Sequence, residues 1–294
     1  MFCKLTALIA ALAGGISLAQ AMTFFSTPNV PLRSNGTLMR RSSSLLPHLS
    51  LQTPVSASDI AESIVKKALT AYGGEPKIVS FKNATFHYEV ESLEDTASKP
   101  VQVTAYFKDA GYFRSEVSSG GSDAITILNG DKGWVRVSDT TLSLSKKNLD
   151  PVKAAMLSQL RPDLLLVSLQ KFRYAGKADE EERKLDLVDV SGLLGGEYVR
   201  GRLSFDSATH LIYKYEFEIE REFPKGMGIV AGEEKYLSHL ETAGLKVPAE
   251  VASRQGRKLS RIWIKQVDLI SVLSPDLFQD PAGAASEPVG SKKP

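Results

Sequence analysis

Histidine, serine, lysine and carboxylate side chains are the groups in this chain that could do chemistry, but their spacing matches no known catalytic pattern. The four histidines are far apart in the sequence: His48, His87, His210 and His239. None belongs to a His-Glu-x-x-His motif, which would place two metal ligands on one helix face. Ser63 and Ser143 each begin a Ser-x-x-Lys match, yet the Lys-Thr-Gly and Ser-Asp-Asn partners of that nucleophile are absent. We therefore predict no catalysis, no metal site and no cofactor.

Two charged clusters offer weaker candidates for a binding site. An acidic run, Asp179 to Glu182, could bind calcium or a partner, but consecutive carboxylates in a polar loop are usually solvated, and the calcium-loop spacing is absent. Basic and aromatic residues interleave between Arg254 and Trp263, where an anionic lipid headgroup could bind. A charged hairpin end more often explains such a pattern.

Charge and cysteine content exclude further classes of function. The chain has 36 basic and 34 acidic residues, a net charge of +2, which is too balanced to argue for a nucleic-acid partner. Its only cysteine, Cys3, precedes the apolar N-terminal block. We therefore expect a mature chain without a disulfide, a thiol nucleophile or a cysteine-bound metal.

The N-terminus has the pattern of a secretory signal peptide, which we assign to residues 1–21. Lys4 provides a positive start, Leu5 to Leu18 is apolar, and Ala19-Gln20-Ala21 is a small-residue cleavage site. An uncleaved membrane anchor and an organelle transit peptide are the alternatives. We expect export across the inner membrane to the periplasm.

Composition divides the remaining chain into one domain and two flanking segments. Residues 22–57 are rich in Ser, Pro, Asn and Arg without periodicity, which predicts a linker or a disordered arm. Residues 282–294 are small and polar and are predicted to be a disordered tail. A single domain is predicted between them, over residues 58–281, and we expect it to be monomeric.

Hydrophobic periodicity predicts a mostly β domain with a few helices, of the α+β class. One helix is expected from Ser58 or Asp59 to Gly73, and a helix pair follows Asp150, with a break at Pro162. Pro224–Gly232 is predicted to be a Gly-rich loop. Strands are predicted at Ala84–Val90, Val101–Lys108, Tyr112–Val117, Ala124–Asn129, Gly133–Ser138, Phe172–Ala175, Lys184–Val190, Glu197–Phe205, Leu211–Phe223, Glu234–His239, Lys246–Ser253 and Leu259–Leu269.

The strand Leu211–Phe223 has the clearest pattern, because aromatic and aliphatic residues alternate with charged ones from Tyr213 onward. Short connections make the sheet antiparallel, and a long strand with one apolar face indicates strong curvature. A filled core would explain any single inward residue, while a concave apolar interior could hold lipid. The candidate cavity-lining residues are Phe86, Tyr88, Trp134, Tyr213, Tyr215 and Phe217.

Three stretches of the sequence together carry a family resemblance. Tyr112-Phe113-Arg114-Ser115-Glu116 leads to a turn at Asn129-Gly130 followed by Trp134, and Leu203 to Ile212 forms a strand–turn–strand motif with an Asp and a Thr in the turn. The ending runs from Leu245-Lys246-Val247-Pro248 to Pro275-Asp276-Leu277-Phe278. In order and spacing these stretches resemble the LolA/LolB-like superfamily of bacterial envelope lipoprotein carriers.

The resemblance implies a curved, incomplete antiparallel β-barrel with a helical lid, whose interior accepts lipid or lipoprotein acyl chains. The helices around Asp150–Lys171 would form the lid. Where that family has a Lys-Arg-Pro step whose Arg helps hold the lid shut, this chain has Lys108-Asp109-Ala110. We therefore expect a divergent member of the superfamily.

The function expected on this basis is a non-catalytic periplasmic carrier or chaperone for lipid or lipoprotein acyl chains. The alternative is an envelope sensor or scaffold that binds a membrane partner protein through the same fold. Turnover abolished by changing a His or Ser would instead indicate an enzyme.

Overall fold

The computed structural model describes residues 56–94, 99–108, 111–119, 122–223, 226–256 and 258–281. The predicted signal peptide, nearly all of the predicted N-terminal arm and the predicted C-terminal tail lie outside the described residues. Asp109, expected in place of the lid-side Arg, lies outside them too. Within the described ranges, no helix is long and apolar enough to cross a membrane.

Thirteen strands in these ranges form one antiparallel, curved and unclosed sheet, as the sequence predicted. The strands are β1 Asn83–Ser92, β2 Val101–Lys108, β3 Tyr112–Ser119, β4 Ser122–Asn129, β5 Lys132–Val137, β6 Thr140–Ser143, β7 Lys171–Glu180, β8 Arg183–Leu194, β9 Glu197–Asp206, β10 Ile212–Phe223, β11 Gly226–Thr242, β12 Leu245–Gln255 and β13 Lys258–Asp268. Their order across the sheet is β6-β5-β4-β3-β2-β1-β13-β12-β11-β10-β9-β8-β7.

This strand order leaves a single long crossover. All other strands that follow one another in the chain are also neighbours in the sheet. Strands β6 and β7 are the exception, because they are the two opposite edges of the sheet. Two helices make the connection between them, α3 Lys146–Leu160 and α4 Pro162–Ser168. The chain must therefore carry these helices from one edge to the other. They contact β5, β8, β9 and β12 on the way.

Two further helices precede the sheet, α1 Ala57–Tyr72 and α2 Glu75–Ser80. Helix α1 begins with a capping box, in which Ser56 Oγ accepts a hydrogen bond from the Asp59 amide at 3.1 Å. It ends at Gly73, whose φ of 125° disfavours other residues. Its buried residues recur at helical spacing, so one face packs on the sheet: Ala61, Val65, Ala68 and Tyr72.

The C-terminal segment covers part of the sheet's outer face. Its 3₁₀ helix, Pro275–Phe278, places Phe278 and Leu273 against Ile125 and Ile127 of β4, forming a second, small apolar cluster. The Asn129 side-chain amide donates to the Phe278 carbonyl at 3.0 Å. The segment therefore closes over the outer surface of the strands and not over the concave side.

Several predicted elements differ from the observed ones. Helix α3 starts at Lys146 rather than beside Asp150, so Pro151 lies inside the helix. The predicted loop Pro224–Gly232 is wrong, because β11 extends from Gly226 and pairs with β10 along this length. Its glycines are typical of a turn, but pairing with β10 holds the chain extended here. Helix α2, strand β6 and the 3₁₀ helix were not predicted.

Two glycines allow β9, β10 and β11 to pack around one aromatic ring. Gly201 and Gly232 lie directly opposite Phe217, one on each side. The Phe217 ring occupies the space that a side chain at Gly232 would need. A Cβ atom at Gly201 would collide with the Glu216 carbonyl oxygen and lie 3.0 Å from Cε2 of Tyr215.

We expect Gly201→Ala to lower the free energy of unfolding by about 1–3 kcal/mol, because the backbone must shift to admit the methyl group. Gly111→Ala is the matched control, since its Cβ would meet Gly130 Cα at an ordinary 3.8 Å. The control should change stability by less than about 0.5 kcal/mol. Urea denaturation monitored by circular dichroism measures both, and equal midpoints for the two variants would contradict the predicted collision at Gly201.

Candidate functional site

The concave face of the sheet forms a continuous apolar interior beneath α3 and α4, which we call the lid. Wall residues of the sheet and buried residues of the lid belong to one hydrophobic cluster. From the lid this cluster includes Val152, Ala154, Leu160, Leu165 and Leu166. The helix pair is thus the central cover of the interior, in agreement with the predicted lid.

The interior is nearly filled in this closed arrangement. A cavity of about 20 Å³ remains between α3 and strands β9 to β11, lined by Ala154, Ser158, Tyr215 and Phe217 among others. That is room for about one water molecule. An acyl chain can therefore enter this interior only if the lid moves away from the wall.

Four of the six candidate lining residues face the interior. Phe86, Tyr88, Tyr215 and Phe217 are all buried members of the main cluster. The rings of Tyr215 and Phe217 lie 5.2 Å apart beneath α3, whereas Phe86 packs edge-on against Phe107. The structure therefore brings Tyr215 and Phe217 together under the lid. Whether any of these residues contacts a ligand stays a prediction.

Trp134 does not face the interior. It alternates along β5 with Val135, which is buried in the main cluster, so Trp134 points to the opposite face. There it packs against the small outer cluster that contains Phe278. The sequence offered no way to see this, because the cover comes from a segment over a hundred residues further along the chain.

Tyr213 also lies away from the interior, which corrects the expectation that it faces inward. A β-bulge places two residues of β10 opposite one of β9, since Ile212 pairs with Phe205 and Lys214 with Ser204. Ile212 therefore faces inward, and the regular alternation of inward and outward side chains resumes at Tyr215. The Tyr213 hydroxyl donates to Glu181 Oε2 at 2.7 Å, and its ring lies 5.0 Å from the Arg183 guanidinium carbon.

A buried carboxyl group that sequence reasoning missed connects the lid to the wall. Glu234 of β11 pairs with Tyr215, faces inward and has no exposed surface. The Ser158 hydroxyl of α3 donates to its Oε1 at 3.0 Å. The Tyr236 hydroxyl lies 3.1 Å from Glu234 Oε2 and 2.6 Å from the Ser158 carbonyl oxygen. One sequence signal could have indicated that Glu234 faces inward. It lies two residues before Tyr236 on a strand, and residues two apart share a face.

Burial favours the protonated form of Glu234. Tyr236 has one hydroxyl proton, and its shorter contact is with the Ser158 carbonyl. The longer contact is satisfied if a protonated Glu234 donates to the Tyr236 oxygen. Burial raises the pKa of Glu234 to about 7, partly offset by hydrogen bonds from Ser158, Tyr236 and Gln159. The Tyr215 hydroxyl nearby has no hydrogen-bond partner among the described residues.

A buried ion pair shapes the junction between the two lid helices. Arg161 separates α3 from α4, and its Nε and Nη2 atoms bind the Asp163 carboxylate at 2.9 and 2.7 Å. Both side chains are almost completely buried. Removing either partner would leave an uncompensated charge, so the pair holds the lid in its bent form. In the described part of the chain, no group of three or more His, Cys, Asp or Glu residues could hold a metal ion.

Comparison with known proteins supports the fold alone. No protein-family model matches the sequence, and no curated protein matches it. A domain from Vibrio parahaemolyticus, named for outer membrane lipoprotein sorting, aligns with a TM-score of 0.50 and 10% identity. The alignment covers 75% of this chain and 97% of that domain. The chain has a LolA-like fold.

Two further solved structures align with this LolA-like chain at a TM-score of 0.48. One is a LolA superfamily protein from Nitrosomonas europaea, with 12% identity over 75% of this chain and 97% of that chain. The other is a DUF1329 family protein from Desulfovibrio piger, with 10% identity over 76% of this chain and 98% of that chain.

We expect Glu234→Gln to make stability less dependent on pH. The pKa of Glu234 is raised from 4.5 to about 7 in the folded state, so folding favours the protonated form. Wild-type stability is full below the unfolded pKa and falls as the pH rises through the folded pKa, by about 3 kcal/mol in total. The neutral amide avoids that loss, so the variant should gain stability relative to wild type between about pH 5 and about pH 8.

Urea denaturation of both proteins at the two pH values measures this effect. The wild-type curve alone would be ambiguous, because burial also lowers the pKa of His239 to about 4 and adds an opposite dependence on the acid side. The difference between variant and wild type isolates Glu234. A difference that stays constant with pH would show that this carboxyl group is not buried as described.

Proposed function

We propose that this protein is a non-catalytic carrier of the bacterial envelope that holds acyl chains of lipids or lipoproteins between its sheet and its lid. The observation that carries the proposal is the construction of the interior. An apolar concave wall is covered at its centre by one helix pair, which the chain tethers at both sheet edges. Such a cover can separate from the wall without disturbing the pairing of any strand.

Ligand entry is energetically feasible because an acyl chain can replace the apolar side chains of the lid against the wall of the sheet. Burying an acyl chain contributes about 0.8 kcal/mol per methylene group. Lifting the lid exposes side chains such as Leu160 and Leu165, each worth about 1.5–3 kcal/mol when fully buried. A long acyl chain can offset several of these side chains, so an opened and loaded state can compete with the closed and empty one.

The polar centre lowers the cost of opening the lid at neutral and higher pH. In the closed state Glu234 is fully buried, and above its pKa of about 7 this state must hold a buried charge. Opening admits water and lets the carboxylate ionise at its ordinary pKa. Release of the lid also breaks the Ser158–Glu234 hydrogen bond, a loss of about 1 kcal/mol.

Envelope location is part of the proposal and rests on the pattern of residues 1–21, which predicts export. The acyl-chain ligand rests on the apolar interior and on the LolA-like fold. The absence of a recognisable nucleophile–base pair or metal motif in the sequence supports a role without catalysis.

An envelope sensor or scaffold is the second candidate function. Its supporting observation is an open groove of about 610 Å³ on the outer face, lined by side chains of both signs, including Arg202, Glu216 and Arg254. Mixed charges of this kind suit a protein partner more than an acyl chain. A stoichiometric membrane protein captured with the full chain, and no lipid, would favour this function.

We expect a Phe217→Trp variant of the full chain to report on lipid in the interior. A brominated diacyl lipid quenches nearby indole fluorescence, and position 217 lies under the lid. Wild-type protein is the matched control, because both native tryptophans point outward and should be quenched much less. Trp134 packs on the outer face, and Trp263 lies between the inward-facing Ile262 and Ile264. Quenching of the variant in excess of wild type is the expected result.

Two independent measurements complete this test. Native mass spectrometry of protein purified from its own envelope should detect bound lipid. Amide hydrogen exchange should rise in residues 146–168 when the diacyl lipid is added and stay unchanged in α1. Protein that carries no lipid, shows no excess quenching and keeps its lid protected would overturn the carrier proposal.

A further inference from the structure

A group of polar side chains lies in the apolar interior, where the lid meets the wall. We call it the polar centre, and its members are Ser158 of α3 and Tyr215, Glu234 and Tyr236 of the wall. All four are almost completely buried, between 0% and 3% exposed. Buried polar groups cost free energy unless they are hydrogen-bonded, so any ligand that displaces the lid must deal with this centre.

Ser158 supplies the polar centre with two groups from the lid. Its hydroxyl is hydrogen-bonded to Glu234 Oε1 at 3.0 Å. Its carbonyl oxygen accepts a hydrogen bond from the Tyr236 hydroxyl at 2.6 Å. The wall of the closed molecule therefore binds a hydroxyl and a carbonyl oxygen that the lid presents side by side. When the lid lifts, both groups leave, and Glu234 and Tyr236 lose these partners.

The wall also has a polar group that the closed lid does not use. The Tyr215 hydroxyl is buried and finds no hydrogen-bond partner in the ranges that the structure describes. Tyr215 lies directly opposite Glu234 on the neighbouring strand, which brings the two Cβ atoms to about 5 Å. Tyr215 and Ser158 line the same small cavity beneath α3. The polar centre thus has hydrogen-bonding capacity beyond what the lid fills.

A saturated hydrocarbon chain cannot replace the lid at the polar centre. Methylene groups neither donate nor accept, so a plain acyl chain across the wall leaves Glu234 and Tyr236 with only each other. A buried polar group that loses its partner costs more free energy than an ordinary hydrogen bond contributes. A hydroxyl on the chain removes this cost, because it can both donate and accept. The same contact compensates the hydroxyl for leaving water.

We propose that the interior selects acyl chains that carry a hydroxyl group, and that Tyr215, Glu234 and Tyr236 form the subsite for this hydroxyl. In the loaded state the ligand hydroxyl replaces the Ser158 hydroxyl at Glu234. The hydrocarbon on either side of it lies along the apolar wall, which includes Phe217. This inference rests on the proposed carrier function, because it concerns the same interior after the lid has moved, and it adds the chemical class of the chain.

Displacement of a dansyl-labelled fatty acid from delipidated full-length protein measures this selection. The competitors are stearate and two hydroxystearates, one with its hydroxyl beside the carboxylate and one with its hydroxyl in mid-chain. All three share the chain length and the head. The readout is the Kd of each hydroxystearate divided by the Kd of stearate, since this ratio cancels any change in how readily the lid opens. In wild type we expect a ratio of about one or lower for at least one isomer.

Three variants test whether the polar centre causes the selection. In Glu234→Leu we expect the ratio to rise about tenfold, as an unpaired buried hydroxyl would give, while stearate loses no affinity. Glu234→Gln should keep the wild-type ratio, because an amide also donates and accepts. Glu218→Leu is the matched control, since the same change is made at an exposed position on the outer face of β10 and should leave the ratio unchanged.

Each outcome bears on one proposal or on both. Selection of a single isomer supports the hydroxyl subsite and gives the position of the hydroxyl. A ratio that is the same in wild type and Glu234→Leu would overturn the subsite and leave the carrier proposal intact if stearate binds. If neither stearate nor a hydroxystearate displaces the probe, both proposals fail. If Glu234→Leu does not fold, Tyr236→Phe removes one hydroxyl without adding volume, and an unchanged ratio there would overturn the subsite.

Discussion

The crossover between β6 and β7 is the constraint on which the rest of this structure depends. The sheet is open, and its two edge strands are consecutive in the chain. The connection between them must run from one rim of the sheet to the other, and in this structure it passes over the concave face. An apolar helix pair makes this connection and at the same time covers the apolar wall. Topology therefore requires a long connection, and the apolar residues of its helices place it on the concave face.

The lid is held by more than apolar contact. Ser158 and Tyr236 connect α3 to the wall through Glu234, and Arg161 and Asp163 hold the bend between α3 and α4. Buried polar groups cost free energy unless they are paired, and they favour one geometry over many. Burial of Glu234 favours its protonated carboxyl, so the stability of the closed lid depends on pH. An apolar residue at position 234 would have bound the lid without this dependence.

The closed molecule leaves little free space in its interior. The cavity beneath α3 has room for about one water molecule. An acyl chain could therefore bind there only with motion of the lid.

Much of this arrangement could be predicted from local pattern. Strand alternation placed Phe86, Tyr88, Tyr215 and Phe217 on the inward face, and turn residues such as Asn129-Gly130 marked the hairpins, because side-chain direction and turn conformation are properties of a few adjacent residues. The open sheet and its helical lid followed from the order of the predicted elements and from the family resemblance.

Tertiary structure alone decided the remaining features. Because of the bulge at Tyr213, Ile212 faces inward and Tyr213 does not. This exchange depends on the register between β10 and β9. Trp134 is covered by the distant C-terminal segment, and Gly226–Gly232 is extended because it pairs with β10. Alternation with Tyr236 is the one local signal for Glu234, and only its pairing with Tyr215 shows that the carboxyl faces inward. The other features depend on residues far apart in the chain, and such contacts leave no periodic signal in a single sequence.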